Sequence, residues 1–190
     1  MRKFKSFTEF ALFTVEEDIE VARICLSTSK QGNTKCCYGM SALVLLGAAI
    51  DIIGTFYVNG FNIQGRDVEG NNLGRARDHF LAFYTKFCSS DCTQEQFMSS
   101  VYELARCRAT HNGVLGKRVK ISINSSPSGK FINIKRYNGK DYTTIHLNEL
   151  LLFVKNSYDT MCAENKMEKD AEKFAPTTGL CADFKIVQNA

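Results

Sequence analysis

Arg106 and His111 stand five positions apart at the end of an apolar-periodic segment, directly before Asn112-Gly113. An imidazole titrates near neutral pH and a guanidinium is permanently charged, so the two suit acid–base chemistry on a phosphate diester. On a straight helix that spacing sets them roughly 140° apart. They converge where the helix loosens towards its end, and Asn112-Gly113 supplies such a stop. A histidine at a helix end also has a structural use, bonding the terminal carbonyls.

The helix that must position this pair begins at the capping box Thr93-Gln94-Glu95-Gln96 and turns Phe97, Val101, Leu104 and Ala105 inward. Three helices precede it. Thr14-Val15-Glu16-Glu17 reads as a capping box for the first, which runs to about Lys30 with Ile19, Ala22, Arg23 and Leu26 on one side. Upstream, Phe4, Phe7, Phe10 and Phe13 at spacing three suggest a short helix or a packing arm. Residues 38–58 carry a single charge, Asp51, and read as a helix buried all round in a bundle. Their length is close to a bilayer span, but a central carboxylate would cost about 2.5–3.5 kcal/mol there. After a glycine-rich loop, residues 75–88 form the third helix, with Phe80, Phe83, Tyr84 and Phe87 as a core stripe.

Beyond Gly116 the apolar period drops to two. Val119, Ile121 and Ile123 mark one strand and Phe131 to Tyr137 a second. Asn138-Gly139 is a hairpin signal leading into a third strand through Tyr142, Thr144 and His146. Asn148 is placed to cap a last long helix that faces Leu147, Leu151, Val154, Tyr158 and Met161 inward. The expected fold is therefore mainly α. It is a helical bundle in one domain over residues 1–165, with a three-stranded antiparallel insertion at 117–147 before the last helix and a C-terminal tail at 166–190.

The apolar fraction of 44% and charged fraction of 23% exclude wholesale disorder. The net charge of +4 is mild but unevenly placed. Nine of the 24 Lys and Arg, and none of the 20 Asp and Glu, fall between Arg106 and Lys140. One positively charged face follows, a usual footprint of phosphate-bearing partners, although a solvated hairpin would carry the same charges. The amino terminus, Met-Arg-Lys-Phe-Lys-Ser, lacks the apolar core of a secretory leader. The expected setting is cytoplasmic, with no membrane partner and the eight cysteines reduced. Cys36, Cys37, Cys88 and Cys92 fit tetrahedral zinc poorly because two of them are adjacent, so no metal or cofactor is expected. His79 and His146 read as ordinary surface or strand residues.

A helical bundle bearing Arg-x4-His resembles the HEPN superfamily (higher eukaryotes and prokaryotes nucleotide-binding). The resemblance covers residues 14–162, with Arg106 and His111 as its motif. Many members are metal-independent endoribonucleases of toxin–antitoxin and antiviral systems. The resemblance implies that His111 acts as general base or acid on the ribose 2′-hydroxyl or leaving oxygen, while Arg106 stabilises charge on the phosphate. It also implies a homodimer that pairs two sites in one cleft, and an antitoxin or regulatory protein as partner. Asp51 would orient His111 or hold Arg106 where the helices adjoin. Arg108, Asn112, Lys117, Arg118, Lys120, Lys135 and Arg136 would hold the RNA backbone. Cys107 stands where the family commonly carries Asn, Asp or His. Three readings follow: a ribonuclease, an RNA-binding or regulatory module without activity, and a structural dimer in which Arg106 and His111 satisfy polar groups at a helix end.

Overall fold

A computed structural model describes residues 7–31, 38–58, 76–88, 91–108 and 118–167, of which 7–9, 29–31, 106–108 and 165–167 are described by backbone alone. The chain is a helical bundle with a small sheet set before its last helix. Helix α1 spans Phe7–Gln31 and begins a full two turns before the expected cap. Ala11 and Val15 extend the buried stripe of Ile19, Ala22 and Leu26 upstream, so the helix continues through Thr14. The Thr14 hydroxyl donates to the Phe10 carbonyl at 3.0 Å and caps nothing. Arg23 departs from the expected inward side as well; it is exposed and forks onto Glu20 at 2.8 and 2.5 Å.

Helix α2 (Gly39–Thr55) is the centre of the bundle and touches α1 and every other helical layer. Ala42, Leu43, Leu46, Ala49, Ile50 and Ile53 are fully buried, each large side chain contributing about 1.5–3 kcal/mol of transfer free energy. Among the described residues no helix is long and apolar enough to cross a membrane. Helix α3 (Ala76–Phe83) widens into a π-helical turn at Tyr84–Cys88. Helix α4 (Gln94–Phe97) starts at the expected capping box: the Thr93 hydroxyl accepts from the Gln96 amide at 3.2 Å, and Gln96 Oε1 accepts from the Thr93 amide at 3.0 Å. It runs on as a π-helix over Met98–Arg108. Phe80, Phe83 and Phe97, all fully buried, join the two helical hairpin arms, with Tyr102 edge-on to Phe80 at 5.2 Å.

Strands β1 (Val119–Ser122), β2 (Ile132–Tyr137) and β3 (Lys140–His146) form the sheet. Asn138 and Gly139, both at positive φ, make the two-residue turn between β2 and β3. The sheet is not purely antiparallel. Its order is β1-β3-β2, and β1 pairs with β3 in parallel from Val119–Thr143 to Ser122–His146. The cause lies in the long link from Ile123 to Phe131. Its polar backbone is satisfied at the C-terminal end of β3, which carries the chain across to the far edge. His146 Nδ1 donates to the Asn124 carbonyl at 3.0 Å, Asn148 Nδ2 donates to the Ile123 carbonyl, and the Ser126 amide donates to Glu149 at 2.7 Å. Asn148 thus anchors the link instead of capping the last helix, α5 (Leu147–Met167). Two tyrosines clasp α5 to the bundle. Tyr158 donates to Glu16 at 2.8 Å, and Tyr57 donates to Glu164, which also holds Lys86 at 2.7 Å.

Candidate functional site

Register decides what the sheet presents to solvent, because side chains alternate along a strand and paired residues share a face. Ile121, Ile132 and Ile145 lie side by side and turn towards the helices, where Ile132 and Ile145 are buried. The opposite face carries Lys120, Thr144 and Asn133 in one row and Lys135 with Tyr142 in the next. Tyr137 and Lys140 form a third row at the hairpin tip. Arg118 continues the alternation of Lys120, and its carbonyl accepts from the Thr143 amide at 2.9 Å. Rows on one face are roughly 6.5–7 Å apart. Arg118, Lys120, Lys135 and Lys140 are exposed, and none pairs with a described carboxylate. Tyr137 and Tyr142 stand among them, 67% and 40% exposed.

Of the charges expected to hold a phosphate backbone, Arg118, Lys120 and Lys135 therefore share one surface. Arg136 faces the other way and lies 3.7 Å from Asp141, both exposed. Lys140, Tyr137 and Tyr142 complete the face, although the sequence marks them only as residues of the basic stretch and its strands. Their signal was available in the period-two alternation with Lys135 across Asn138-Gly139. Asn112, Lys117 and His111 lie outside the described residues, and Arg106 and Arg108 are described by backbone alone.

Arg106 falls near the end of the π-helix Met98–Arg108. In that form each amide reaches a carbonyl five residues back, so the helix is wider than an α-helix. The helix adjoins α2 closely: a Cβ at Gly47 would meet the Ala105 Cβ at 2.7 Å. Asp51 lies one turn beyond Gly47 on the same side of α2. Its described partner is His79 of α3, with Asp51 Oδ1 at 2.5 Å from His79 Nδ1. His79 is not a surface residue, its side chain being 12% exposed. A carboxylate on Nδ1 fixes the orientation of the ring. No sequence spacing announces this pair, since it depends on how α2 and α3 cross.

His146 is likewise buried, and it sits within a polar network. Asn133 Nδ2 lies 3.1 Å from its Nε2 while its Nδ1 donates to the Asn124 carbonyl at 3.0 Å, so both ring nitrogens have partners. A separate surface pocket of about 140 Å³ is lined by Asp91, Cys92, Lys130, Phe131, Glu149 and Phe153 among others. Burial, then the charge of Asp91, pushes the Cys92 thiol up to about 11, so it is a neutral thiol at pH 7 and a poor nucleophile. Among the described residues no three His, Cys, Asp or Glu converge as metal ligands. Compared with protein families, curated proteins and solved structures, the chain matches none.

Proposed function

We propose that the protein binds RNA through its sheet and cleaves it, as a metal-independent endoribonuclease of the HEPN type, at Arg106 and His111. The observation that carries the binding half is the register of the sheet, which gathers Arg118, Lys120, Lys135 and Lys140 on one exposed face without a described carboxylate on it. Four cations at strand spacing track a phosphate backbone, and each contact releases counterions. The cleavage half is supported by the packing of the helix that carries Arg106 against α2, where Ala105 meets Gly47 one turn from Asp51. In this reading His111 removes the proton from the 2′-hydroxyl or returns one to the leaving oxygen, a contribution of about 10²–10⁴-fold. Arg106 stabilises the charge that grows on the phosphate. The active form is a homodimer that pairs two such sites.

The test is a titration of a short fluorescent RNA at several salt concentrations, followed by cleavage of a mixed RNA pool in EDTA. Affinity falls steeply with salt, and reversing Arg118, Lys120 and Lys135 to glutamate weakens binding to all sequences and flattens the salt slope. His111→Ala and Arg106→Ala each abolish cleavage while melting like the parent. A wild type that binds but never cleaves reduces the protein to an RNA-binding module. One that does not bind at low salt removes the reading altogether.

A further inference from the structure

We infer that Tyr137 and Tyr142 are stacking platforms for unpaired bases, so that the sheet takes single-stranded RNA in preference to a duplex. The inference rests on the RNA-binding reading above and adds to it the form of the nucleic acid. Both rings lie on the same face as the four cations that pair with no described carboxylate, and both are exposed on a surface otherwise made of Lys, Arg, Thr and Asn, with Ser122 and the buried His146 at its inner end. Tyr142 sits across from Lys135, and Tyr137 across from Lys140, so each ring has a cation beside it on the neighbouring strand. The two tyrosines are diagonal neighbours, a relation that sets side chains about 7–8 Å apart in an antiparallel pair. That distance admits a separate base on each ring while the phosphates between them pass the lysines.

Phosphate contacts alone do not tell a duplex from a single strand, but a ring can stack only on a base that has left its partner. A sheet face with aromatic rings at strand spacing meets that requirement, and a duplex backbone gives the rings nothing to cover. The same cations would suit an anionic membrane, yet among the described residues this face has no projecting Leu, Ile or Phe beside the two tyrosines to enter the acyl layer; the aliphatic residues of the strands alternate to the other face, where Ile134 is 39% exposed.

The experiment compares one sequence as single-stranded RNA, as an RNA duplex and as single-stranded DNA, with vesicles of anionic and zwitterionic lipid alongside. The single-stranded RNA binds more tightly than the duplex. Tyr137→Ala and Tyr142→Ala each lose roughly tenfold to a hundredfold for the single strand and leave duplex affinity unchanged. Tyr142→Phe keeps the ring and the affinity. Because the chain has no tryptophan, Tyr142→Trp adds a single reporter whose fluorescence is quenched as a base stacks on it. Single-stranded DNA responds to the same tyrosine variants, since stacking does not involve the sugar, and any preference for RNA reads contacts to the 2′-hydroxyl. Equal affinity for strand and duplex, untouched by the alanine variants, overturns stacking and leaves phosphate binding in place. Binding to anionic vesicles with none to RNA overturns both readings. Thermal melts of each variant separate lost contacts from lost folding.

Discussion

A Cβ at Gly54 would come within 2.6 Å of the His79 carbonyl carbon and onto its oxygen, against backbone that no side-chain rotation can move aside. Helices α2 and α3 approach this closely only because residue 54 has no side chain, and the same approach brings Asp51 to His79. Gly54→Ala is therefore expected to destabilise the protein by about 1–3 kcal/mol through overpacking. Chemical denaturation measures that loss, and the Nδ1 proton resonance of His79 should shift as the pair with Asp51 opens. An unchanged midpoint would mean the helices part without cost. The glycines of α2 at 47 and 54 were plain in the sequence. Which contact each one served was not, because that depends on a crossing between segments far apart in the chain.

Helix α1 carries a penalty of its own. Burial, then the neighbouring charge of Glu17, raises the Asp18 carboxyl to about 6 from an ordinary value of 3.8. The group binds a proton more readily in the folded chain than in the unfolded one, so stability rises as pH falls from about 6 to about 4. Above that window both states are charged and the full penalty stands. Asp18→Asn should stabilise the protein at pH 7 by about 1 kcal/mol, a figure that allows for the partial exposure of the carboxyl, and should flatten the profile below pH 6. Melting temperatures of both proteins across that range decide it. Elements whose signals are local were legible in the chain: the Thr93 box, the Asn138-Gly139 turn and the existence of the three strands. Three features escaped. Thr14 imitates a cap inside a helix that burial extends upstream. The π pitch has no compositional mark. The partner of β1 is chosen by side chains in β3 and α5, beyond any local pattern.

For the whole molecule, the sheet is part of the common core. Phe131 lies 4.9 Å from Phe153 of α5, and Ile145 is fully buried. The knot around His146 ties the link between β1 and β2 to the start of α5. His146→Ala should leave the Asn124 carbonyl and the Asn133 amide short of a partner and cost about 1–3 kcal/mol. Because the sheet shares the helical core, that loss is expected in one transition seen alike by far-ultraviolet and aromatic circular dichroism. Two separated transitions would mark the insertion as an independent unit. Half of the candidate site could be read from parity alone, which puts Arg118, Lys120 and Lys135 together and Arg136 opposite. What parity leaves out is the position of β1 beside β3, and without it the cations of β1 and β2 would not flank the same tyrosine.

Among the described residues the order β1-β3-β2 leaves two strands with an unpaired side, and both carry lysine or arginine: Arg118 and Lys120 beside one, Lys135 and Arg136 along the other. Open edges invite a neighbouring chain to add a strand, and charge is a common guard against such growth. The cations proposed to hold phosphate would thus also keep two molecules from zipping together. Replacing them with alanine would remove both roles at once and confuse weak binding with aggregation. Glutamate repels phosphate while leaving each edge charged, so the reversed protein stays dispersed and its loss of affinity can be read as such.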